Sequence, residues 1–129
     1  MIGLDTSVVV RLLVGEPEAQ AAAARRLIDG AGPGTLVISD VVIAESYFAL
    51  RHHYGAPHGK TVDALRGLLA DRRVYSNGTA RRVIDTASAR ETAPGFVDRL
   101  IHAGYESEGM GTVTFDRDAS RLSGATLLA

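Results

Sequence analysis

The chain has 129 residues, 46% hydrophobic and 22% charged, which suits one soluble domain (1–129) with a buried core. A formal charge of −1 gives no bulk argument for nucleic acid. The absence of cysteine excludes disulfides, thiol nucleophiles and cysteine-held zinc or iron–sulfur groups, so a metal would need oxygen ligands or the four histidines.

Lys60 is the single lysine; the other thirteen basic residues are arginines, the side chain suited to bidentate phosphate contacts. If Asp5, Glu45, Asp98, Asp116 and Asp118 were gathered around a metal, the remaining surface would be net positive. No run approaches the roughly 18 to 20 apolar residues of a membrane span. The first strand begins at Ile2 with an acid three residues later, so no signal peptide is expected and the location predicted is cytoplasmic.

The opening Met1-Ile2-Gly3-Leu4-Asp5-Thr6-Ser7 predicts a buried strand ending at Asp5, with Thr6 and Ser7 starting a helix that reaches Leu13. Ligand sites in open α/β sheets lie at the carboxyl ends of strands, so Asp5 points into a crevice. The alternative is a plain helix cap made by its side-chain oxygen. Gly15 and Pro17 punctuate, and residues 18–28 read as a helix with Pro17 suited to its start. The glycines and proline of residues 30–34 break the pattern before a β-branched strand at 35–38, after which Ser39 or Asp40 caps the next helix.

That helix is predicted over 41–54 and carries Glu45, whose neighbours three and four positions away are Val41, Val42, Phe48 and Ala49. Burying an unpaired carboxylate costs several kcal/mol. Glu45 therefore faces a cavity holding a cation, or the apolar stripe lies elsewhere around the helix. A loop at 55–59 precedes a helix at 60–72, with Val62, Leu65, Leu68 and Leu69 at core spacing. Val74 and Tyr75 suit a short edge strand, and Ser76-Asn77-Gly78 a turn. Thr79 is expected to cap a helix running to Glu91.

After Thr92-Ala93-Pro94-Gly95, a further helix holds Asp98 in its first turn, where an acid also meets the positive helix end favourably. Residues 112–115 form a β-branched strand ending in Asp116-Arg117-Asp118. A short helix at 119–122 and a strand at 126–128 complete the pattern. Strands alternate with helices throughout, which predicts an α/β fold: a mostly parallel central sheet of about five short strands flanked by helices.

Asp5 and Asp116 end strands far apart in sequence, while Glu45 and Asp98 lie on helices that can border the same crevice. Four gathered carboxylates repel and raise one another's pKa unless a divalent cation compensates them. Hard oxygen donors select Mg²⁺ or Mn²⁺. An ion that keeps some of its waters suits phosphodiester hydrolysis.

Asp5-Thr6-Ser7, Glu45, Phe96-Val97-Asp98-Arg99-Leu100-Ile101 and Thr114-Phe115-Asp116-Arg117-Asp118, in this order and spacing, resemble the PIN domain over essentially the whole chain. The small size and the C-terminal segment are most similar to bacterial VapC-type toxins. The resemblance implies a metal-dependent endoribonuclease, paired with a VapB-type antitoxin and often a homodimer. By position it implies Asp5, Glu45, Asp98 and Asp116 as the acidic quartet, with Asp5, Asp98 and Asp116 on Mg²⁺ or Mn²⁺. Asp118 would be a supplementary acid, and Ser7 and Thr114 hydroxyls that orient ligands or water. Arg99 and Arg117, each beside a site acid, would contact RNA phosphate or pair with carboxylates.

His52 and His53 suit a helix end, His58 and His102 read as ordinary lone histidines, and Tyr47 and Phe48 suit core or dimer contacts. An aspartyl-nucleophile phosphatase would want aspartate at position 7, where Ser7 stands. A dinucleotide fold lacks its glycine fingerprint. A non-catalytic module that holds RNA or a partner protein would have no reason to keep the full acid set.

Overall fold

The computed structural model describes residues 1–128. Strands β1 (Ile2–Gly3), β2 (Leu36–Ile38) and β3 (Val74–Ser76) form a parallel sheet in the order β1-β2-β3, with Ile2 opposite Leu36 and Leu36 opposite Val74. Strands β4 (Thr112–Thr114) and β5 (Ala125–Leu127) form a second parallel pair, with Thr112 opposite Ala125. Six helices flank them: α1 (Thr6–Val14), α2 (Glu18–Asp29), α3 (Asp40–Phe48), α4 (His58–Ala70), α5 (Ala80–Asp85) and α6 (Phe96–Ser107). The α/β class and the parallel strands are as predicted.

The single five-stranded sheet is not. Among the described residues the ladder divides into three strands and two. The amides of Ile2 and Leu4 both donate toward β2, to Thr35 O just ahead of it and to Val37 O within it, each at 2.8 Å. Alternate residues of a parallel strand address opposite edges. The outer edge of this two-residue strand therefore offers only the peptide groups of Gly3. That is too little to hold a neighbour in register.

The core follows the predicted periodicities. Leu36 and Ile38 are fully buried on β2, and Val9, Ile28, Ile43, Val62, Leu65, Leu69 and Ile84 close over them from five helices. Each such side chain contributes about 1.5–3 kcal/mol relative to exposure. Tyr75 on β3 is exposed, as an edge position should be. No residue of β4 or β5 is buried, so that pair lies outside the main core.

Helix ends follow local chemistry only in part. Asp5 caps α1, and Gly15 closes it at φ 84°, its amide donating to Arg11 O. Ser39 caps α3 through the Val42 amide. The helix expected over 41–54 becomes a π-turn at Ala49–His53. α4 starts two residues earlier than expected, at His58.

Thr79 does not cap α5; Asp40 does, from 39 residues away. Its carboxylate accepts from the Thr79 amide and hydroxyl at 3.0 Å each and from the Ala80 amide at 2.9 Å. α5 ends at Asp85 rather than Glu91. Arg66 of α4 claims the carbonyls of Ile84 and Ala87, and the Thr86 hydroxyl turns back to Val83 O. The last turn closes with the Ala87 amide on Ile84 O at 3.1 Å, and these side chains cover the carbonyls left open at the helix end.

Candidate active site

Asp5 stands exposed where β1 gives way to α1. Its Oδ2 accepts from the Ser7 hydroxyl at 2.8 Å and the Ser7 amide at 3.3 Å. The hydroxyl above all, then the amide, holds the Asp5 carboxyl below the ordinary carboxylate value. Asp5 is thus a helix cap and also a carboxylate kept ionised, with Oδ1 open.

Glu45 is joined to the same helix start. The Thr6 hydroxyl donates to Glu45 Oε1 at 3.0 Å, so the second acid is tied to the residue following the first. Glu45 does not project among buried apolar groups. Its flanking side chains Val41 and Phe48 are themselves 68% and 49% exposed, and the buried stripe of this segment is Ile43, Ser46, Tyr47 and Leu50. The unusual feature is an acid on an exposed apolar face.

Asp98 lies exposed in the first turn of α6, with no hydrogen bond to its carboxylate among the described residues. α6 packs on α3, and the two helices border a groove of about 350 Å³ lined by Val41, Ala44, Val97, Leu100 and Ile101. Asp116 follows β4 and is held by its own loop. Its Oδ1 accepts from the amides of Asp118 at 2.8 Å and Ala119 at 3.1 Å, while its amide donates to Thr114 Oγ1 at 3.0 Å. Ser7 and Thr114 each order a site acid, the task a supporting hydroxyl performs.

Asp118 pairs with Arg121 at 2.8 Å. Arg99 donates through Nε to Pro94 O at 3.0 Å, and Arg117 makes no side-chain hydrogen bond or ion pair among the described residues. Neither arginine pairs with a neighbouring carboxylate. Seven other acids are ion-paired, yet Asp5, Glu45, Asp98 and Asp116 are in no ion pair among the described residues. Each keeps at least one oxygen open.

The structure thus ties Glu45 to the residue that follows Asp5, sets α6 beside the Glu45 helix, and holds Asp116 in a separate turn. Among the described residues no three Asp, Glu or His side chains stand close enough to hold a metal ion. The donor chemistry suits a hard divalent cation, being all oxygen with open lone pairs. A closed protein cage is not formed.

The other candidates are structural. His58 is buried with Nδ1 2.7 Å from the Tyr47 hydroxyl and Nε2 3.0 Å from Ser88 O. A carbonyl only accepts, so Nε2 carries a hydrogen; in the neutral ring Nδ1 then accepts from Tyr47, whose hydroxyl in turn accepts from Arg51. Arg51 also pairs with Glu91. This network holds residues 86–95, the stretch leading to Asp98. Tyr47 is core, whereas Phe48 is exposed and stacked on His52. Sequence reasoning missed Thr6 as the link to Glu45 and Asp40 as a remote cap. A hydroxyl beside Asp5 was the only signal for the first, and the second had none.

A small parallel α/β domain, with acids where β1 and β4 end and on the helices between, defines the class. The PIN domain model matches residues 2–125, and the chain belongs to that family, whose members are typically metal-dependent nucleases. No curated protein and no solved structure matches the chain. No helix among the described residues is long and apolar enough to cross a membrane.

Proposed function

We propose that this protein is a Mg²⁺- or Mn²⁺-dependent endoribonuclease of the VapC toxin kind, acting in the cytoplasm and restrained by a VapB-type antitoxin. A homodimer is the expected form. The observation that carries the reading is the quartet of exposed carboxylates that have no cationic partner among the described residues, in an arginine-rich chain of the PIN family. Charge left open at such positions suits a hard cation and a phosphate backbone.

In this reading Asp5, Asp98 and Asp116 would hold the ion through their open oxygens, although they form no ready-made cage among the described residues. When bound, the ion lowers the pKa of its water and polarises a phosphoryl oxygen. Ser7 keeps Asp5 ionised and fixed in direction, and the amides of the turn after Thr114 fix the direction of the Asp116 carboxylate. Thr6 holds one oxygen of Glu45, leaving Oε2 to receive a proton from the attacking water. Arg117, exposed and without an ion pair among the described residues, and the free end of Arg99 supply cationic contacts for RNA phosphates. Asp118, tied to Arg121, acts on the site only through water.

The test is cleavage. Protein freed of antitoxin should cut structured RNA with Mg²⁺ or Mn²⁺ and stop with EDTA, and Asp5→Asn and Asp98→Asn should each remove cutting while circular dichroism stays unchanged. Normal cutting by both variants would refute the site. A second reading, a PIN scaffold that binds RNA or protein without cutting, draws on the lack of a closed cage among the described side chains. RNA binding without cleavage under any divalent ion would favour it.

A further inference from the structure

Phe48 ends α3 three positions beyond Glu45, so the two side chains are neighbours on one helix face. A lone exposed phenyl ring is ordinary on a protein surface. This one is organised. Phe48 is half-exposed, and its ring lies against that of exposed His52, with centroids 5.8 Å apart and planes 25° from parallel. Tyr47, from the core, meets the Phe48 ring edge-on at 6.0 Å and 73°.

The turn that carries His52 is fixed from its inner side. It is the π-turn Ala49–His53, closed by the Tyr54 amide on Ala49 O at 3.1 Å, and such single turns occur frequently at functional sites. Arg51 donates to Ala56 O and to the Tyr47 hydroxyl, each at 3.1 Å, and pairs with Glu91. His52, His53 and Tyr54 are left exposed, the last two rings in edge contact at 4.9 Å. The Phe48–His52 pair is thus braced before any ligand arrives, which lowers the entropy cost of binding on it.

We propose that Phe48 and His52 form a stacking subsite for one base of a single-stranded RNA segment, a loop or an end, whose phosphate lies at the carboxylate site. The proposal rests on the RNA reading of that site and states where the neighbouring nucleotide goes. Every base has a π-face, so a flat aromatic surface accepts any of them, whereas a duplex hides those faces. Charge also favours a base at this point. Glu45 has no cationic partner among the described residues and repels a phosphate, but an uncharged base can lie beside it. Exposed aliphatic groups, the kind a protein partner covers, lie on the other side of Glu45, where Val41 and Ile101 border the α3–α6 groove. Beyond Phe48 the exposed neighbours are instead rings with polar edges, His52, His53 and Tyr54, which can hydrogen-bond a base.

The chain contains no tryptophan, so Phe48→Trp provides a single reporter that keeps the aromatic face. In EDTA, which leaves the strand whole, a single-stranded RNA hexanucleotide should quench that emission and bind Phe48→Trp about as tightly as the parent. Phe48→Leu, apolar but without a π-face, should bind it about tenfold more weakly, and His52→Leu should also lose affinity. A hexanucleotide of abasic riboses has the same phosphates and should neither quench the tryptophan nor distinguish the parent from Phe48→Leu. No binding, no quenching, equal binding by Phe48→Leu, or equal quenching by the abasic strand would each overturn the subsite. So would sedimentation showing that Phe48→Leu turns dimers into monomers while its affinity for the strand is unchanged, since the face would then join two copies of the chain. Strand bound and tryptophan quenched, with no cutting under any divalent ion, would sink the nuclease reading and leave the subsite standing. Normal cutting by the parent without quenching in Phe48→Trp would do the reverse.

Discussion

The Thr6 hydroxyl donates to Glu45 Oε1 at 3.0 Å, so the acid on α3 is aligned by the residue that follows Asp5. Both partners lie at the surface, and the bond therefore orients more than it stabilises. Thr6→Val should leave the melting temperature within about a degree or two while lowering RNA cleavage about tenfold. Cleavage equal to the parent's would show that Glu45 needs no alignment.

Ser7→Ala removes the stronger of the two hydrogen bonds that keep Asp5 ionised. The Asp5 carboxyl should then titrate at higher pH, because the lost bond favours the charged form. The acid limb of the cleavage profile should move the same way. Comparing profiles in Mn²⁺ for both proteins measures this, and coincident acid limbs would count against Ser7 as the orienting hydroxyl.

Asp71 and Arg73 give a stability prediction with a defined sign. Arg73 holds both Asp71 oxygens, through Nε at 2.9 Å and Nη2 at 2.8 Å, and its amide adds a third bond. Arg73's side chain above all, then its amide, lowers the Asp71 carboxyl from 3.8 to about 2. A depressed carboxylate stabilises the fold above its unfolded value, and that stability is lost as pH falls through the folded one. Asp71→Asn should therefore cost about 1–2 kcal/mol at pH 7, allowing for solvent screening, and almost nothing near pH 2. Urea melts of both proteins at the two pH values decide it.

Gly78 is required by the remote cap on α5. A Cβ at that position would stand 2.6 Å from the Asp40 carboxylate. Gly78→Ala should push the carboxylate away from the Thr79 and Ala80 amides and cost about 1–3 kcal/mol. Asp40→Ala should cost a similar amount. Because both substitutions destroy one cap, the double variant should be clearly less unstable than the sum of the singles. Simple additivity in chemical denaturation would contradict the cap.

The Tyr47–His58 contact tests the network beneath residues 86–95. Tyr47→Phe leaves His58 Nδ1 and one Arg51 donor without their partner. A loss of about 1–3 kcal/mol is expected, with amide exchange fastest in residues 86–95. Uniform exchange across the chain would mean that the network does not hold that segment.

Short-range chemistry is readable in the sequence. Asp5 as a cap, Gly15 as a stop, the apolar spacing of α4 and the β-branched run of β2 each depend on residues within one or two turns. The order of strands and helices follows from the same patterns, and the spacing of the acids pointed to the PIN family. Contacts between distant stretches could not be read this way. Asp40 reaching Thr79, Arg66 reaching the end of α5, Thr6 meeting Glu45 and the division of the sheet at Gly3 depend on which elements pack side by side. Side-chain patterns record which face of an element is apolar, whereas hydrogen-bond partners are assigned only when the chain has closed around its core. The chemical kind of the candidate site was therefore legible in the residues themselves; which carboxylates meet, and what holds each one, was decided by the folded structure.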